Sequence, residues 1–479
     1  MTEVRTRFAP SPTGFMHIGN LRTGLYAYLF ARKHGGKFVL RIEDTDQERK
    51  VEGAVEMIYR TLETAGLDYD EGPDKDGGYG PYVQTERMSL YKEYAEKLVE
   101  LGGAYYCFCT KERLESLADE NGVHTYDKHC RNLSKEEVAR RLAAGEPYVI
   151  RQKVPENAVS SYEDMVFGEI SVDTADIEDG VLLKSDGLPT YNFANVVDDH
   201  LMKISHVIRG TEYLSSTPKY NLMYDAFGWE RPKYMHLPPI MKDATRKLSK
   251  RFGDANFEDF IAKGYLPEAV VNYIALLGWC PKDNREKMTV EEMIEAFDVD
   301  GISHSSSIFD EAKMRWLNGE YLKAMTPEEF YAVAKPWIEK GLKGHDFDLK
   351  EIASLMQTRI DVLGDIPEKI AFLNEFGEYD LNMYVHQKMK VDLDVAKKAV
   401  RVAIDALENF DDWTDEAIKE RIKSAAEEAG MKGGQVMFSM RVALSGAPVT
   451  PGGAIELAKV LGKEESLRRM KFSLELLKK

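Results

Sequence analysis

The chain has 479 residues, enough for about three domains of ordinary size, and its 43% hydrophobic and 30% charged residues exclude a disordered or fibrous protein. Apolar stretches such as 274–277 are too short to span a bilayer, and the first residues lack the apolar core of a signal peptide, so we expect a cytoplasmic protein without a membrane partner. The net charge of −17 argues against a nucleic-acid partner, but residues 1–50 carry nine Lys or Arg against five Asp or Glu, and residues 241–251 carry five against one, so basic surface can lie locally on an acidic body.

The first fifty residues predict a strand, a loop, a helix and a second strand. Residues 4–9 are short and extended, and two prolines make residues 10–14 a loop. Leucines at positions 21, 25 and 29 predict a helix that stops at Gly35-Gly36, and the apolar run 37–43 predicts a buried parallel strand. This βαβ unit is typical of a doubly wound, Rossmann-like sheet, whose ligands bind at the carboxyl ends of the strands.

Composition and periodicity change along the rest of the chain. Helical patterns cover 53–66 and 88–102, a charged helix at 135–144 follows a cysteine-bearing stretch, and the apolar run 204–209 returns to the sheet. Amphipathic periodicity, as in 395–407, dominates from Thr326. We therefore predict an α/β protein with five segments: the first half of a Rossmann-like domain, 1–104; an α+β insertion, 105–187; the second half of the Rossmann-like domain, 188–240; a loop and connecting stem, 241–325; and an all-helical domain, 326–479.

The loop before the first helix runs into His17-Ile18-Gly19-Asn20 at the helix start. Unpaired amide groups and the helix dipole favour an anion such as a triphosphate at this position. Gly19 lets an adenine ring or ribose approach the backbone, and His17 can donate to phosphate oxygens. A histidine after a turn is often just a satisfied polar residue, so this motif alone is weak evidence for ATP binding.

A basic pentapeptide, Lys247-Leu248-Ser249-Lys250-Arg251, ends a segment that we call the lysine loop (residues 241–251). Its two lysines can stabilise the charge that builds on phosphoryl oxygens when an activated acid attacks the α-phosphate of a nucleotide. A lone basic pentapeptide is more often a solvated face. Its position after the helix-start motif, beyond a second strand region, strengthens the nucleotide-binding interpretation.

With these two motifs the chain resembles class I aminoacyl-tRNA synthetases, whose hallmarks are a His-Ile-Gly-His-type motif and a Lys-Met-Ser-Lys-Ser-type motif. More narrowly, it resembles bacterial-type glutamyl-tRNA synthetases along its whole length, in the stretches 7–14, 40–46, 191–200, 208–212 and 441–446. Asn20 departs from the last His of the first motif, and Leu248 and Arg251 replace Met and Ser of the second. The glutamate branch of the family tolerates such changes.

The resemblance implies a two-step reaction without a covalent enzyme nucleophile. ATP and L-glutamate would give glutamyl-adenylate and pyrophosphate, and the terminal ribose hydroxyl of tRNA would then take the acyl group. Catalysis would rest on positioning and on electrostatic stabilisation, assisted by Mg²⁺. The implied catalytic residues are His17, Lys247 and Lys250. The implied ATP contacts are His17, Gly19, Asn20, Lys247, Leu248, Ser249 and Lys250.

The resemblance also implies a glutamate site, which consists of Arg7, Ser11, Glu43, Tyr191, Asn195 and Arg209. Arg7 and Arg209 would grip the side-chain carboxylate, because arginine binds carboxylates in bidentate geometry better than lysine does. Glu43 would accept the α-ammonium group, and the other three residues would help to position the substrate. Either arginine could instead form a structural ion pair with Glu43 or Asp44.

Four cysteines, at 107, 109, 130 and 280, are too few for a disulfide framework and fit a reducing compartment. Three of them cluster in the insertion, and a zinc site usually needs four thiolate or imidazole ligands. Family members that hold zinc here use a Cys-x-Cys pair followed by a Tyr and a Cys, or by a Cys-x-His, and Asn132 occupies the place of that His. We therefore predict zinc at Cys107, Cys109, Tyr126 and Cys130, with His129 as the second choice for the fourth ligand and free thiols as the alternative. Cys280 is expected to be a small buried residue.

The resemblance places Arg359 and Arg441, in the helical domain, in segments that face the anticodon. Arginines there could stack on or bond to splayed bases, although solvated helix faces are at least as frequent. Glu212 would lie near the tRNA terminus. We expect a monomer that charges tRNA(Glu), and tRNA(Gln) stays open as a second substrate.

Two alternatives remain. A glutaminyl-tRNA synthetase is disfavoured by Ser11 and by the run 42–46, which look like the glutamate branch. A tRNA-binding paralogue that has lost catalysis is disfavoured by the intact His17, Lys247 and Lys250.

Overall fold

The computed structural model describes residues 3–46, 51–118, 125–248, 256–343, 347–374 and 376–478. Its strands are β1 (Arg5–Phe8), β2 (Lys37–Leu40), β3 (Ala104–Cys107), β4 (Val149–Gln152), β5 (Val159–Asp164), β6 (Gly168–Asp173), β7 (Val181–Leu183), β8 (His206–Gly210), β9 (Lys233–Leu237), β10 (Ile240–Met241) and β11 (Ser307–Ile308). The α-helices of the first part of the chain are α1 (Ile18–Lys33), α2 (Ala54–Thr64), α3 (Met88–Glu100), α4 (Lys111–Glu115), α5 (Lys135–Ala143), α6 (Tyr191–Leu201), α7 (Thr217–Phe227), α8 (Phe257–Ala262), α9 (Pro267–Leu276) and α10 (Val290–Ala296). The later helices are α11 (Glu311–Ala324), α12 (Pro327–Gly341), α13 (Leu349–Met356), α14 (Ile366–Lys369), α15 (Leu393–Leu407), α16 (Asp415–Glu428), α17 (Gly433–Ser445) and α18 (Ala454–Leu476). Within the residues that the structure describes, no helix is long and apolar enough to cross a membrane.

A mainly parallel sheet carries two of the predicted glutamate-site residues, Arg7 on β1 and Arg209 on β8. β1 pairs with β2 in parallel, and β8 pairs with β9 in parallel, with Arg209 opposite His236. A hydrogen bond of 2.9 Å from Ser205 N to Arg5 O joins the start of β8 to β1. The predicted parallel α/β sheet is confirmed, and the carboxyl ends of β1, β8 and β9 share one edge, where ligands of such sheets bind.

The crossover between β1 and β2 is α1, as the leucine spacing predicts. The helix ends at Lys33 and is followed by its C-cap His34 and by Gly35, whose backbone is left-handed with φ of +63°. A Cβ atom on Gly36 would lie 2.1 Å from Val4 O, so glycine is required where the chain returns into β2. The predicted apolar stripe is buried: Leu21, Leu25 and Leu29.

The predicted insertion, 105–187, contributes to two sheets. β3, β4 and β7 form an antiparallel sheet of their own. β5 and β6 form a hairpin, and β5 joins β9 in parallel through the pair Asp164 and Tyr234. The hairpin therefore extends the catalytic sheet. The sequence does not reveal this link, because β5 alternates exposed and buried residues as any hairpin strand does.

The chain divides into two compact units, of which the first comprises Met1–Ile261 and Pro267–Asp310 and the second Ala262–Leu266 and Glu311–Lys479. The second unit is helical, as predicted, but it begins at α11, which the sequence places in the stem. Asn318 of α11 explains the difference, because its Oδ1 accepts from Leu266 N at 2.8 Å and its Nδ2 donates to Asp361 O at 2.5 Å, both within the second unit.

Cys280, expected to be buried, is exposed.

Candidate active site

His17 caps the first turn of α1. Its backbone is extended, with φ −65° and ψ 135°, and its Nδ1 accepts a hydrogen bond of 3.0 Å from Gly19 N. A Cβ atom on Gly19 would lie 3.1 Å from that Nδ1, so glycine lets the imidazole fold over the helix start. Asn20 is exposed on the same turn, and His17 forms an antiparallel bridge with Asn256. The predicted phosphate site therefore lies beside the segment that follows the lysine loop.

The described part of the lysine loop is anchored to the first unit. Lys247 forms an antiparallel bridge with Met241, and Leu248 N donates to Ile240 O at 3.1 Å. Met241 belongs to β10, which pairs in parallel with β11. This anchoring fixes the backbone at Lys247. Ser249 and Lys250 lie outside the described residues.

A closed ion network, which we call the Asp199 network, consists of Arg7, Arg41, Glu43 and Asp199. Arg41 is fully buried, and its guanidinium donates to Asp199 Oδ1 at 2.7 Å and to Glu43 Oε1 at 2.9 Å. Arg7 Nε donates to the same Asp199 oxygen at 3.1 Å. Burial raises the pKa of Glu43, whereas Arg7 and Arg41 outweigh burial at Asp199 and hold its pKa below the ordinary value. The structural ion pair that the sequence leaves open for Arg7 exists, but its partner is Asp199 rather than Glu43 or Asp44.

Arg209, near the carboxyl end of β8, lies in a different environment. Its Nε donates to His236 Nε2 at 3.2 Å and its Nη2 donates to Thr217 Oγ1 at 2.7 Å. Although the side chain is buried, no carboxylate of the described residues lies within 4 Å of it. Three tyrosine rings lie within 5.5 Å of the guanidinium, and with Arg209, Thr217 and His236 they form what we call the Arg209 box: Tyr213, Tyr220 and Tyr234. A buried cation attracts an external anion when only neutral groups contact it, because no carboxylate occupies its hydrogen-bonding positions.

Tyr191 links the Asp199 network to the Arg209 box. Its ring lies 5.6 Å from that of Tyr213, and burial together with the charge of Glu43 raises its pKa. Asn195, one turn later on α6, is buried and donates from Nδ2 to Tyr191 O at 2.8 Å. The two other predicted residues, Ser11 after β1 and Glu212 directly after β8, are exposed.

Sequence reasoning does not single out His236 or its partner Asp164. Asp164 Oδ2 lies 2.6 Å from His236 Nδ1, and both side chains are fully buried. The available signal is a histidine inside the run Tyr234–Leu237, which otherwise reads as a buried strand, because a polar side chain there needs a partner.

Three cysteine sulfur atoms converge after β3. The Sγ atoms of Cys107, Cys109 and Cys130 lie within 4.8 Å of one another, and Tyr126 OH lies 3.2 Å from Cys107 Sγ. Hydrogen bonds from Cys130 and, secondarily, from Tyr126 lower the pKa of Cys107 to about 4 against the effect of burial. Burial raises the pKa of Cys109, and the hydrogen bond with Cys107 raises the pKa of Cys130, so one thiolate, at Cys107, is favoured in the cluster. His129 is exposed. Three sulfurs and a phenol oxygen fit a tetrahedral cation such as Zn²⁺.

The two arginines predicted to face the anticodon lie in the second unit and are bonded within it. Arg359 Nη2 donates to Glu456 Oε1 at 3.0 Å, and Arg441 Nη2 donates to Pro448 O at 3.2 Å. Burial lowers the pKa of Arg441. Arg359 lines a cavity of about 690 Å³ whose wall includes the loop 445–451.

Comparison with known proteins agrees with this geometry. Residues 3–316 match the family of "tRNA synthetases class I (E and Q), catalytic domain", and residues 329–474 match the "Anticodon binding domain" family. The chain is 56% identical to the glutamate–tRNA ligase of Clostridium novyi (strain NT), over 99% of this chain and 98% of that protein, and 53% identical to that of Clostridium acetobutylicum, over 100% and 99%. A crystal structure of a glutamate tRNA ligase from Elizabethkingia meningosepticum in complex with its amino acid matches with a TM-score of 0.91 and 36% identity, covering 99% of this chain and 100% of that one.

Proposed function

Because the chain belongs to the class I tRNA synthetases, in the branch of the glutamate–tRNA ligases, we propose that it joins L-glutamate to the 3′ end of tRNA(Glu) in an ATP-dependent reaction. In the first step a carboxylate oxygen of glutamate attacks the α-phosphorus of ATP, and pyrophosphate leaves. In the second step a hydroxyl of the terminal tRNA ribose attacks the acyl carbon of the adenylate, and AMP leaves. Both steps are displacements, so the enzyme acts by positioning and by stabilising charge.

The Arg209 box is the observation that supports glutamate as the amino acid. Arg209 is a buried cation without a carboxylate of its own, near the strand ends where ligands of such sheets bind. A side-chain carboxylate supplies the missing anion in bidentate geometry, whereas the amide of glutamine leaves the charge uncompensated. We therefore assign the side-chain carboxylate of the substrate to Arg209.

The α-ammonium group of the substrate is assigned to Glu43. Arg41 occupies Glu43 Oε1, which leaves the second carboxyl oxygen to accept an ammonium N–H. Arg7 acts mainly through Asp199 in this assignment, since that carboxylate already binds its Nε. Tyr191 and Asn195 shape the space between the two clusters, with Ser11 at its exposed edge.

ATP is assigned to the start of α1 and to the lysine loop. His17, Gly19 and Asn20 form the first turn, whose remaining amide groups and dipole favour the phosphates. Lys247 and Lys250, with Leu248 and Ser249 between them, would stabilise charge on the phosphoryl oxygens. Mg²⁺ on the phosphates would offset part of their charge during the displacement.

The thiol cluster is assigned to Zn²⁺, held by Cys107, Cys109, Cys130 and Tyr126. The short distance of Tyr126 OH to Cys107 Sγ and the exposure of His129 support Tyr126 as the fourth ligand. The metal is structural in this proposal, because four protein ligands leave no open coordination position.

For tRNA, we assign residues 105–187 and Glu212 to binding of the acceptor end, and residues 326–479 to binding of the anticodon. Residues 241–325, which comprise the lysine loop and the stem, connect these two parts of the chain. The cavity beside Arg359 supports the last assignment, because its walls offer charged side chains and loop backbone to a splayed base. Arg441 would act by holding the loop that it bonds to. The unpaired cysteines support a cytoplasmic location, and we propose a monomer.

The decisive experiment charges purified tRNA(Glu) and tRNA(Gln) separately with radiolabelled glutamate and with glutamine. We expect glutamate on tRNA(Glu) and no glutamine on either tRNA. Glutamate on both tRNAs would extend the substrate range to tRNA(Gln). Charging with glutamine, or binding of tRNA without any pyrophosphate exchange, would contradict the proposal.

A further inference from the structure

Three neighbouring strands place three polar side chains in a row: Arg209 and His236 of the Arg209 box, and Asp164 beside them. Arg209 on β8 is the register partner of His236 on β9, and Asp164 ends β5, the next strand of the sheet. Residues at the same register of a parallel pair point to the same face, so the side chains meet. Two hydrogen bonds connect the row: one of 3.2 Å between Arg209 Nε and His236 Nε2, and one of 2.6 Å between His236 Nδ1 and Asp164 Oδ2.

The hydrogen bonds assign the tautomer of His236. Arg209 Nε is always a donor, so His236 Nε2 must accept, and the ring proton therefore lies on Nδ1 and is donated to Asp164. Thr217 Oγ1 lies 3.3 Å from the same Nε2, but its proton goes to Tyr213 O at 2.8 Å. Thr217 thus leaves Nε2 to Arg209 and accepts from Arg209 Nη2.

Asp164 is itself held rigidly. Its Oδ1 accepts from Val166 N and Phe167 N, each at 3.0 Å, in the turn between β5 and β6, and its Oδ2 also accepts from His236 N at 3.2 Å. Four N–H groups therefore fix the carboxylate that orients the imidazole. No rotation of the ring keeps both of its hydrogen bonds.

We infer that His236, oriented by Asp164, is a positioning residue that sets the direction of the Arg209 guanidinium toward the substrate carboxylate. Two of the three guanidinium nitrogens, Nε and Nη2, are bound by His236 and Thr217, and Nη1 has no partner among the described residues. Because a guanidinium is planar, fixing two nitrogens fixes the third. This inference rests on the proposed role of Arg209 in glutamate recognition.

The charges around His236 are consistent with a neutral ring. Burial lowers the pKa of His236, the hydrogen bond with Asp164 opposes this effect, and the charge of Arg209 lowers the pKa further. A neutral ring keeps the lone pair on Nε2 that Arg209 needs. A protonated ring would present a second N–H to the guanidinium instead.

Two substitutions of His236 distinguish the hydrogen bond made by Nε2 from the hydrogen bond made by Nδ1. The amide of glutamine in His236→Gln reaches the Nε2 position, so its oxygen can accept from Arg209. The shorter amide of His236→Asn reaches only the Nδ1 position, where it can donate to Asp164. Pyrophosphate exchange with tRNA(Glu) present, at varied glutamate and varied ATP, measures both Michaelis constants. His206→Asn, at the opposite end of β8, is the matched control.

We expect His236→Asn to raise the KM for glutamate about tenfold, the size of one lost hydrogen bond to a charged group, with the KM for ATP unchanged. His236→Gln should stay within a factor of about three of the parent, and His206→Asn should match it. In an Arg209→Gln background, His236→Asn should add nothing, because there is no guanidinium left to orient.

Failure of the two proposals gives different results. If Arg209→Gln raises the glutamate KM but His236→Asn does not, the positioning role is wrong and the role of Arg209 stands. If Arg209→Gln leaves the glutamate KM unchanged, the proposed function of Arg209 is wrong. Equal changes in the constants of both substrates, or equal effects of His236→Asn and His236→Gln, would show that His236 is only structural.

Discussion

The Asp199 network and the Arg209 box lie in the same unit, and both bury arginine, yet they satisfy its charge in opposite ways. In the network, Arg7 and Arg41 share Asp199, and Arg41 also binds Glu43. In the box, Arg209 has an imidazole, a hydroxyl and three aromatic rings. The paired charges of the network stabilise the fold and leave only the second oxygen of Glu43 for a ligand, whereas the box lacks its anion and is prepared for one.

The thiol cluster is a second open set, with the opposite sign. Cys107, Cys109 and Cys130 form a group that gains from an external cation, as Arg209 gains from an external anion. The contrast teaches that residue type and burial do not identify a binding site by themselves. The distinguishing observation is whether the partner charge is already present in the chain.

The largest effect on stability should come from Arg41→Gln. It leaves Glu43 and Asp199 buried with Arg7 as the one remaining arginine of the network, and loss of one partner of a buried ion pair costs about 3–5 kcal/mol. Urea unfolding measures the loss. Arg140→Gln, which breaks an exposed pair with Glu137, should change the free energy of unfolding little. Similar small losses in both variants would mean that the network does not stabilise the fold.

Arg209→Gln should show the reverse pattern. With the guanidinium gone, kcat/KM for glutamate should fall about 100-fold, while the free energy of unfolding should change by less than about 1 kcal/mol because no buried carboxylate loses its partner. Pyrophosphate exchange and urea unfolding on the same preparation give both numbers. A loss of stability comparable to that of Arg41→Gln, with normal kinetics per folded molecule, would show that Arg209 stabilises the fold and does not bind the substrate.

Metal analysis extends the comparison to the thiol cluster. The purified protein should contain about one zinc ion per chain, lose it in Cys107→Ser or Cys130→Ser, and bind it less tightly in Tyr126→Phe. Cys280→Ser changes an exposed cysteine outside the cluster and should retain the metal. If protein prepared without chelator contains no metal, the thiol cluster is not a zinc site.

The smallest effect is a shift in acid stability. Burial alone would raise the pKa of Asp199, but Arg7 and Arg41 hold it below the ordinary value. This stabilisation is therefore complete above the unfolded-state pKa of aspartate and is lost as the pH falls through the lowered native pKa. Glu43, whose pKa is raised by burial, acts in the opposite direction. Arg7→Gln should move the acid unfolding midpoint to higher pH, and an unchanged midpoint would mean that Arg7 does not hold Asp199 ionised.

Much of the fold could be predicted from the sequence, because local pattern determines it. The leucine spacing of α1, the glycines that end it and the apolar run of β2 each identify their element without tertiary information. The link from β5 to β9 could not be predicted, since it depends on one pairing between segments far apart in sequence. For the same reason the sequence places α11 with the stem, although Asn318 bonds it to the helical unit.

The candidate site divides in the same way. Motifs identify Arg7 and Arg209 as candidate carboxylate ligands, but the sequence does not show which of them is already neutralised. That difference depends on Asp199 of α6, far away in the chain. His236 and Asp164 could not be predicted either, because their contact requires three strands to lie side by side in a known register.

The central claim, that Arg209 recognises the side-chain carboxylate of glutamate, is tested most directly by substrate discrimination. The measurement is kcat/KM for L-glutamate and for L-glutamine in tRNA-dependent pyrophosphate exchange, in the parent protein and in Arg209→Gln. The account predicts that the substitution reduces kcat/KM for glutamate far more than for glutamine, so that the preference for glutamate falls by about 100-fold. An unchanged ratio of the two constants would contradict it.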